Sequence, residues 1–108
     1  MADLTIKKDN YGFDIQFTVK KADETLKDLT GYTVTLKVWK EDADNVKFSG
    51  TCTLDDDPTS GKCYYTAQET DFDTLGGYNG ELELTKSGER LDTKTFTIAV
   101  KETAPQQP

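Results

Sequence analysis

The chain has 108 residues, enough for one compact domain and too few for two with separate cores. Lys and Arg number 13 and Asp and Glu 20, a formal net charge of -7. That is the wrong sign for neutralising phosphates, so neither nucleic acid nor a membrane surface is an expected partner. Histidine is absent, which removes Ser-His-Asp and Cys-His catalysis, His metal sites and an imidazole pH switch together. Leu, Ile, Val and Phe total only 22 residues, whereas Thr numbers 17 and aromatics make up 10%. Those residues suit a pleated, half-buried surface, so the composition favours β structure.

In chain order, Met1 to Leu4 has neither a basic start nor an apolar stretch, and no export signal is expected there. No run approaches the ~20 apolar residues of a membrane helix. Leu4 and Ile6 supply a short first strand. From Gly12 to Lys20 the residues Phe13, Ile15, Phe17 and Val19 alternate with polar ones, the period of a strand with one wet face. Tyr32 to Trp39 repeats the device with Val34, Leu36 and Val38 inward, which leaves Trp39 on the opposite parity. Val46, Phe48, Gly50, Cys52 and Leu54 share one parity and predict a single long strand, bent at Gly50. Cys63, Tyr65 and Ala67 form the inner row of the next strand.

Glu69 to Leu75 is expected to make one or two helical turns with Thr70 as N-cap. Two further strands follow, with Tyr78, Gly80, Leu82 and Leu84 inward in one and Phe96, Ile98 and Val100 in the other. Leu91 is out of parity with Phe96, Ile98 and Val100, so a bulge or break is predicted near Asp92 and Thr93. Gly, Asp and Asn clusters separate the runs. With no helix long enough to cover a sheet, the expected fold is an all-β, immunoglobulin-like sandwich of about seven antiparallel strands in two sheets. The domain is expected to occupy residues 1–102, with 103–108 a disordered Pro/Gln-rich tail or linker.

Cys52 and Cys63 flank a loop whose hairpin would set them opposite each other, a candidate disulfide. The competing reading is two buried thiols, with a bridge closing only after release into oxidising surroundings. Asp55, Asp56 and Asp57, and Glu69, Asp71 and Asp73, read as solvated acidic turns, because their spacing departs from a calcium loop. No metal or other cofactor is expected. No paired carboxylates across a cleft and no nucleophile with a base emerge, and a sandwich of this size leaves little volume for a cleft, so no catalytic residue is named. The candidate binding residues are Trp39 and Tyr64, whose parity points away from the core, with Val46 and Phe48 on the adjacent edge strand. On one surface, Trp39 and Tyr64 would form an exposed apolar patch.

Three segments carry a resemblance in their order and spacing: Asp28-Leu29-Thr30-Gly31-Tyr32-Thr33-Val34, Gly61-Lys62-Cys63-Tyr64-Tyr65, and Gly76-Gly77-Tyr78-Asn79-Gly80-Glu81-Leu82. From about Tyr11 to Val100 the chain resembles the N-terminal domain of phage baseplate upper proteins and related tail-associated immunoglobulin-like modules. The resemblance implies a β-sandwich that serves in attachment or assembly of the virion, with no catalytic residues. Its partners would be other virion proteins and further copies of itself, and it would be made in the host cytoplasm. A carbohydrate or host-surface binding module, or a capsid decoration protein, is the alternative. Gly31, Gly76 and Gly77 suit tight strand entries, and Tyr78 is placed to tie its hydroxyl to a preceding loop, as in a tyrosine corner. Gly80 stands where an antibody-like domain would carry its second disulfide Cys.

Overall fold

The computed structural model describes residues 3–102, and the tail expected at residues 103–108 lies outside them. The described residues form nine strands: β1 (Leu4–Lys7), β2 (Asp14–Thr18), β3 (Thr33–Lys40), β4 (Val46–Thr51), β5 (Thr53–Leu54), β6 (Lys62–Thr66), β7 (Gly76–Lys86), β8 (Glu89–Asp92) and β9 (Phe96–Lys101). The larger sheet runs β1-β9-β7-β3-β4 with β8 beside β7, and the smaller runs β2-β6-β5. The result is an all-β sandwich with two more strands than expected. It is also not purely antiparallel, because β1 pairs with β9 in parallel.

The alternation written into β3 and β7 builds the centre of the larger sheet. Val34, Leu36 and Val38 lie opposite Leu84, Leu82 and Gly80, and all face inward. Ile15, Cys63, Tyr65 and Ala67 close over them from the smaller sheet. Gly80 is required here because a Cβ would press into the ring of Phe96, its partner on β9. Among the described residues, no buried side-chain nitrogen or oxygen lacks a hydrogen-bond partner.

The single strand expected from Val46 to Leu54 is two strands in different sheets. Cys52 still donates its N–H to the Val34 carbonyl at 2.8 Å, while Thr53 and Leu54 already pair with Tyr64 and Cys63 of β6. The chain thus steps between the layers at Cys52 and closes one side of the sandwich. Shared parity hides such a step, because a residue facing inward from one sheet also faces inward from the other. A second irregularity lies where the register shifts between Val38 and Trp39: Val38 opposes Phe48, whereas Trp39 opposes Val46. The extra residue, Lys47, rotates Val46 to the outer face while Phe48 stays inward.

The predicted break near Asp92 is present. β9 pairs with the first half of β7 and β8 with the second half, on the same edge. Thr93 fills the gap: its N–H donates to the Leu82 carbonyl at 2.9 Å, and its Oγ1 accepts from the Leu82 N–H at 3.0 Å. The helical turns expected at Glu69 to Leu75 are instead plain turns. The segment is organised by Asp71, which is only 7% exposed and accepts from the Gln68 N–H at 2.9 Å and the Tyr65 hydroxyl at 2.5 Å. Asp71 is therefore not the solvated acid of the sequence reading, since its carboxylate ties a loop to the core. Tyr78 donates to the Thr74 carbonyl at 2.7 Å, the predicted tie to a preceding loop.

Gly50 lies against Tyr65, and a Cβ there would collide with a ring held by Asp71 and stacked on Phe48. Gly50→Ala is expected to destabilise the domain by about 1–3 kcal/mol, measured by denaturant unfolding.

Candidate functional site

The residues proposed from sequence do not assemble into one patch. Trp39 lies half-buried on the outer face of the larger sheet, between Val46 on β4 and Asn79 on β7. Val46 is 51% exposed, a consequence of the bulge that turned it outward. Tyr64 lies on the outer face of the smaller sheet, between Gln16 and Thr53. It is separated from Trp39 by the sandwich itself, whose layers pack about 10 Å apart. Phe48 does not share the surface of Val46. It stacks on Tyr65 with ring centroids 5.7 Å apart and meets Phe72 edge-on at 5.3 Å.

Trp39 and Val46 border an unpaired edge, because β4 pairs with β3 alone among the described strands. Charges frame this face. The Lys37 ammonium lies 2.6 Å and the Arg90 Nε 2.8 Å from the same oxygen of Glu83. The hydrogen bond from Lys37, aided by the positive charge of Arg90, holds the Glu83 carboxyl below its usual range. At the other end, Lys47 bridges to Asp73 at 2.9 Å and donates to the Thr70 carbonyl at 3.0 Å, which fastens the bulge to the Glu69–Leu75 loop.

Cys52 and Cys63 are free, buried thiols. The hairpin places Leu54, not Cys52, opposite Cys63, so the register expected for a directly cross-strand bridge is not present. The two sulfurs nevertheless interact: Cys52 keeps its proton and donates it toward Cys63, and that contact, together with burial, holds the Cys52 thiol above its ordinary range.

The pattern of residues missed a groove of about 780 Å³ on the opposite side of the sandwich, where β2 forms the open edge of the smaller sheet. Phe17 and Val19 from one sheet and Leu82, Leu84, Leu91 and Phe96 from the other line it, so the expectation of little cleft volume is corrected. The smaller sheet has three strands and leaves part of the larger one uncovered. The signal was the odd parity of Leu91, which marks the point where the edge of β7 passes from β9 to β8. The lining is mainly apolar, with Glu24 and Asp92 its two carboxylates.

Fold and surface together define an all-β module with open strand edges, Trp39 beside the exposed Val46 on one outer face and an apolar groove on the other side. The BppU N-terminal domain family, the N-terminal domain of phage baseplate upper proteins, matches residues 4–107, and the chain belongs to it. It is accordingly a phage baseplate structural domain with its place in the virion, where its partners are other virion proteins. Among solved structures the chain is similar to CopC from Methylosinus trichosporium OB3b, with TM-score 0.56 and 9% identity, covering 99% of this chain and 91% of that one. At that identity the likeness shows the fold alone. No curated protein matches the chain.

Glu83→Gln should lower stability at neutral pH. Because the folded carboxyl titrates below its ordinary value near 4.5, its contribution is complete above that value and is lost as pH falls through the folded one. The wild-type advantage in urea unfolding should therefore vanish in acid. Iodoacetamide should label neither Cys52 nor Cys63 in the folded chain and both after denaturation, read as intact mass.

Proposed function

We propose that this domain is a non-enzymatic baseplate or tail attachment module that docks onto other virion proteins, and onto further copies of itself, through the outer face and free edge of its larger sheet. The observation that carries this reading is Val46, exposed beside the half-buried indole of Trp39 on an edge strand without a second neighbour among the described residues. An unpaired edge offers a row of N–H and C=O groups that a partner strand completes, and the adjacent aromatic and aliphatic side chains supply the buried anchor. The net charge of -7 limits indiscriminate edge pairing and steers a basic partner toward the domain.

Within this reading the proposed binding residues divide by role. Trp39 and Val46 make the contact. Phe48 supports it from beneath through its stack on Tyr65, and Tyr64 serves a separate contact on the far face. The immunoglobulin-like arrangement belongs to the same proposal, supported by two sheets that exchange a strand at Cys52. The Pro/Gln-rich residues after Glu102 are proposed to act as a linker.

Trp39→Ala should keep the far-UV spectrum and melting transition of the wild type, yet reduce incorporation into purified phage particles by about tenfold or more, measured by quantitative mass spectrometry. Equal incorporation of both forms rejects the Trp39 patch. Glycan-array binding that disappears with Trp39→Ala would replace this reading with a carbohydrate or host-surface module. Immunogold labelling of the capsid would replace it with capsid decoration.

A further inference from the structure

The groove beside β2 carries a charge that the rest of the chain does not. Lys20, Lys21, Lys27 and Lys94 line it against only Glu24 and Asp92, in a chain where acids outnumber bases 20 to 13. Among the described residues, none of these four ammonium groups lies in an ion pair. Lys27 lies over the face of Tyr32, 5.0 Å from the ring centroid, and its charge also acts on the Asp28 carboxylate, as that of Lys21 does on Asp23. A local excess of positive charge in the lining, on the rim of an apolar trough, is complementary to an acidic ligand.

The backbone of β2 adds direction. Val19 donates to the Gly61 carbonyl at 2.7 Å, and Ala67 donates to the Phe13 carbonyl at 2.9 Å. In an antiparallel pair the bonded positions alternate, so Ile15 and Phe17 bond to β6 between these two contacts, while the Val19 carbonyl accepts from the Lys27 N–H at 2.9 Å. Asp14, Gln16 and Thr18 therefore turn N–H and C=O toward the open edge, where no described strand lies. A strand added there at about 4.8 Å would run above the uncovered inner face of the larger sheet. Every second side chain would face the exposed Leu91 and the partly buried Phe96 in the wall of the groove. Leu91 confirms that this face lacks a cover: it opposes Leu84 across β7 and β8, yet it is 42% exposed whereas Leu84 is buried.

We infer that the groove receives an extended segment of another virion protein, alternating apolar with acidic residues, which adds as a fourth strand to β2 and sets its carboxylates against Lys20, Lys21, Lys27 and Lys94. This rests on the docking reading above but uses a different edge from Trp39. A β2 of five residues matches a segment of similar length, roughly 17 Å when extended. The carboxylates belong at the end of the segment near Lys20 and Lys94, away from Asp14.

The test is an NMR titration of the isotope-labelled full chain with two capped synthetic heptapeptides, one alternating Glu with Val and the other Lys with Val. The acidic peptide should shift the amides of Gln16, Thr18, Leu91 and Phe96 and bind about tenfold more tightly than the basic one, with the difference shrinking at high salt. Thr18→Pro removes one outward N–H without touching the ladder to β6, and should abolish the shifts. The double charge reversal Lys20→Glu, Lys94→Glu should invert the preference between the peptides. The inference is overturned by equal affinity for both peptides, by no binding of the acidic one at millimolar concentration, or by shifts confined to β4 or β1. Shifts at the same four amides on concentrating the protein alone would make the occupant a second copy, and would also overturn it. Incorporation of the Thr18→Pro chain into particles at the wild-type level, with Trp39→Ala excluded, would sink the groove and leave the attachment reading standing.

Discussion

A sheet with one apolar face must cover that face, and here the cover is too narrow. β3 and β7 present Val34, Leu36, Val38, Leu82 and Leu84 as a continuous inner surface, and β9 extends it with Ile98 and Val100. Only β2, β6 and β5 lie opposite. Burial of these side chains, each worth about 1.5–3 kcal/mol, is what holds the two layers together. The mismatch in width decides where the domain is solid and where it stays open.

On the closed side the chain makes the seal itself, because the strand that begins as β4 ends as β5. Cys52 at the step keeps its hydrogen bond to Val34 while its neighbours join β6. Tyr65, held by Asp71 and stacked on Phe48, fills the space beneath Gly50. A buried carboxylate tied to a hydroxyl and a backbone N–H organises the loop that a helix would otherwise have occupied. On the open side nothing equivalent occurs, and Leu91 remains half in water.

The two surfaces proposed for docking follow from these irregularities rather than from the regular strands. A one-residue bulge at Lys47 carries Val46 from the inner row to the outer face beside Trp39. The transfer of the β7 edge from β9 to β8 opens the groove beneath Leu91. In each case a local departure from pleated regularity exposes an apolar side chain next to an unpaired strand edge. That combination favours association with another chain.

Alternation with a period of two was enough to determine an all-β chain, the inward rows of β2, β3, β6, β7 and β9, the break near Asp92 and the tie made by Tyr78, because each depends on neighbours close in sequence. The motifs around Gly31, Gly61 and Gly76 also carried the family. Tertiary structure alone decided that Val46 faces outward and Phe48 inward, that Thr53 and Leu54 belong to a different sheet from Phe48, and that Trp39 and Tyr64 lie on opposite faces. Parity along one strand tells inside from outside but not which sheet a residue belongs to, and it is reset silently by every bulge. The groove is likewise a property of two layers of unequal width, and width is set by pairings between residues far apart in the chain.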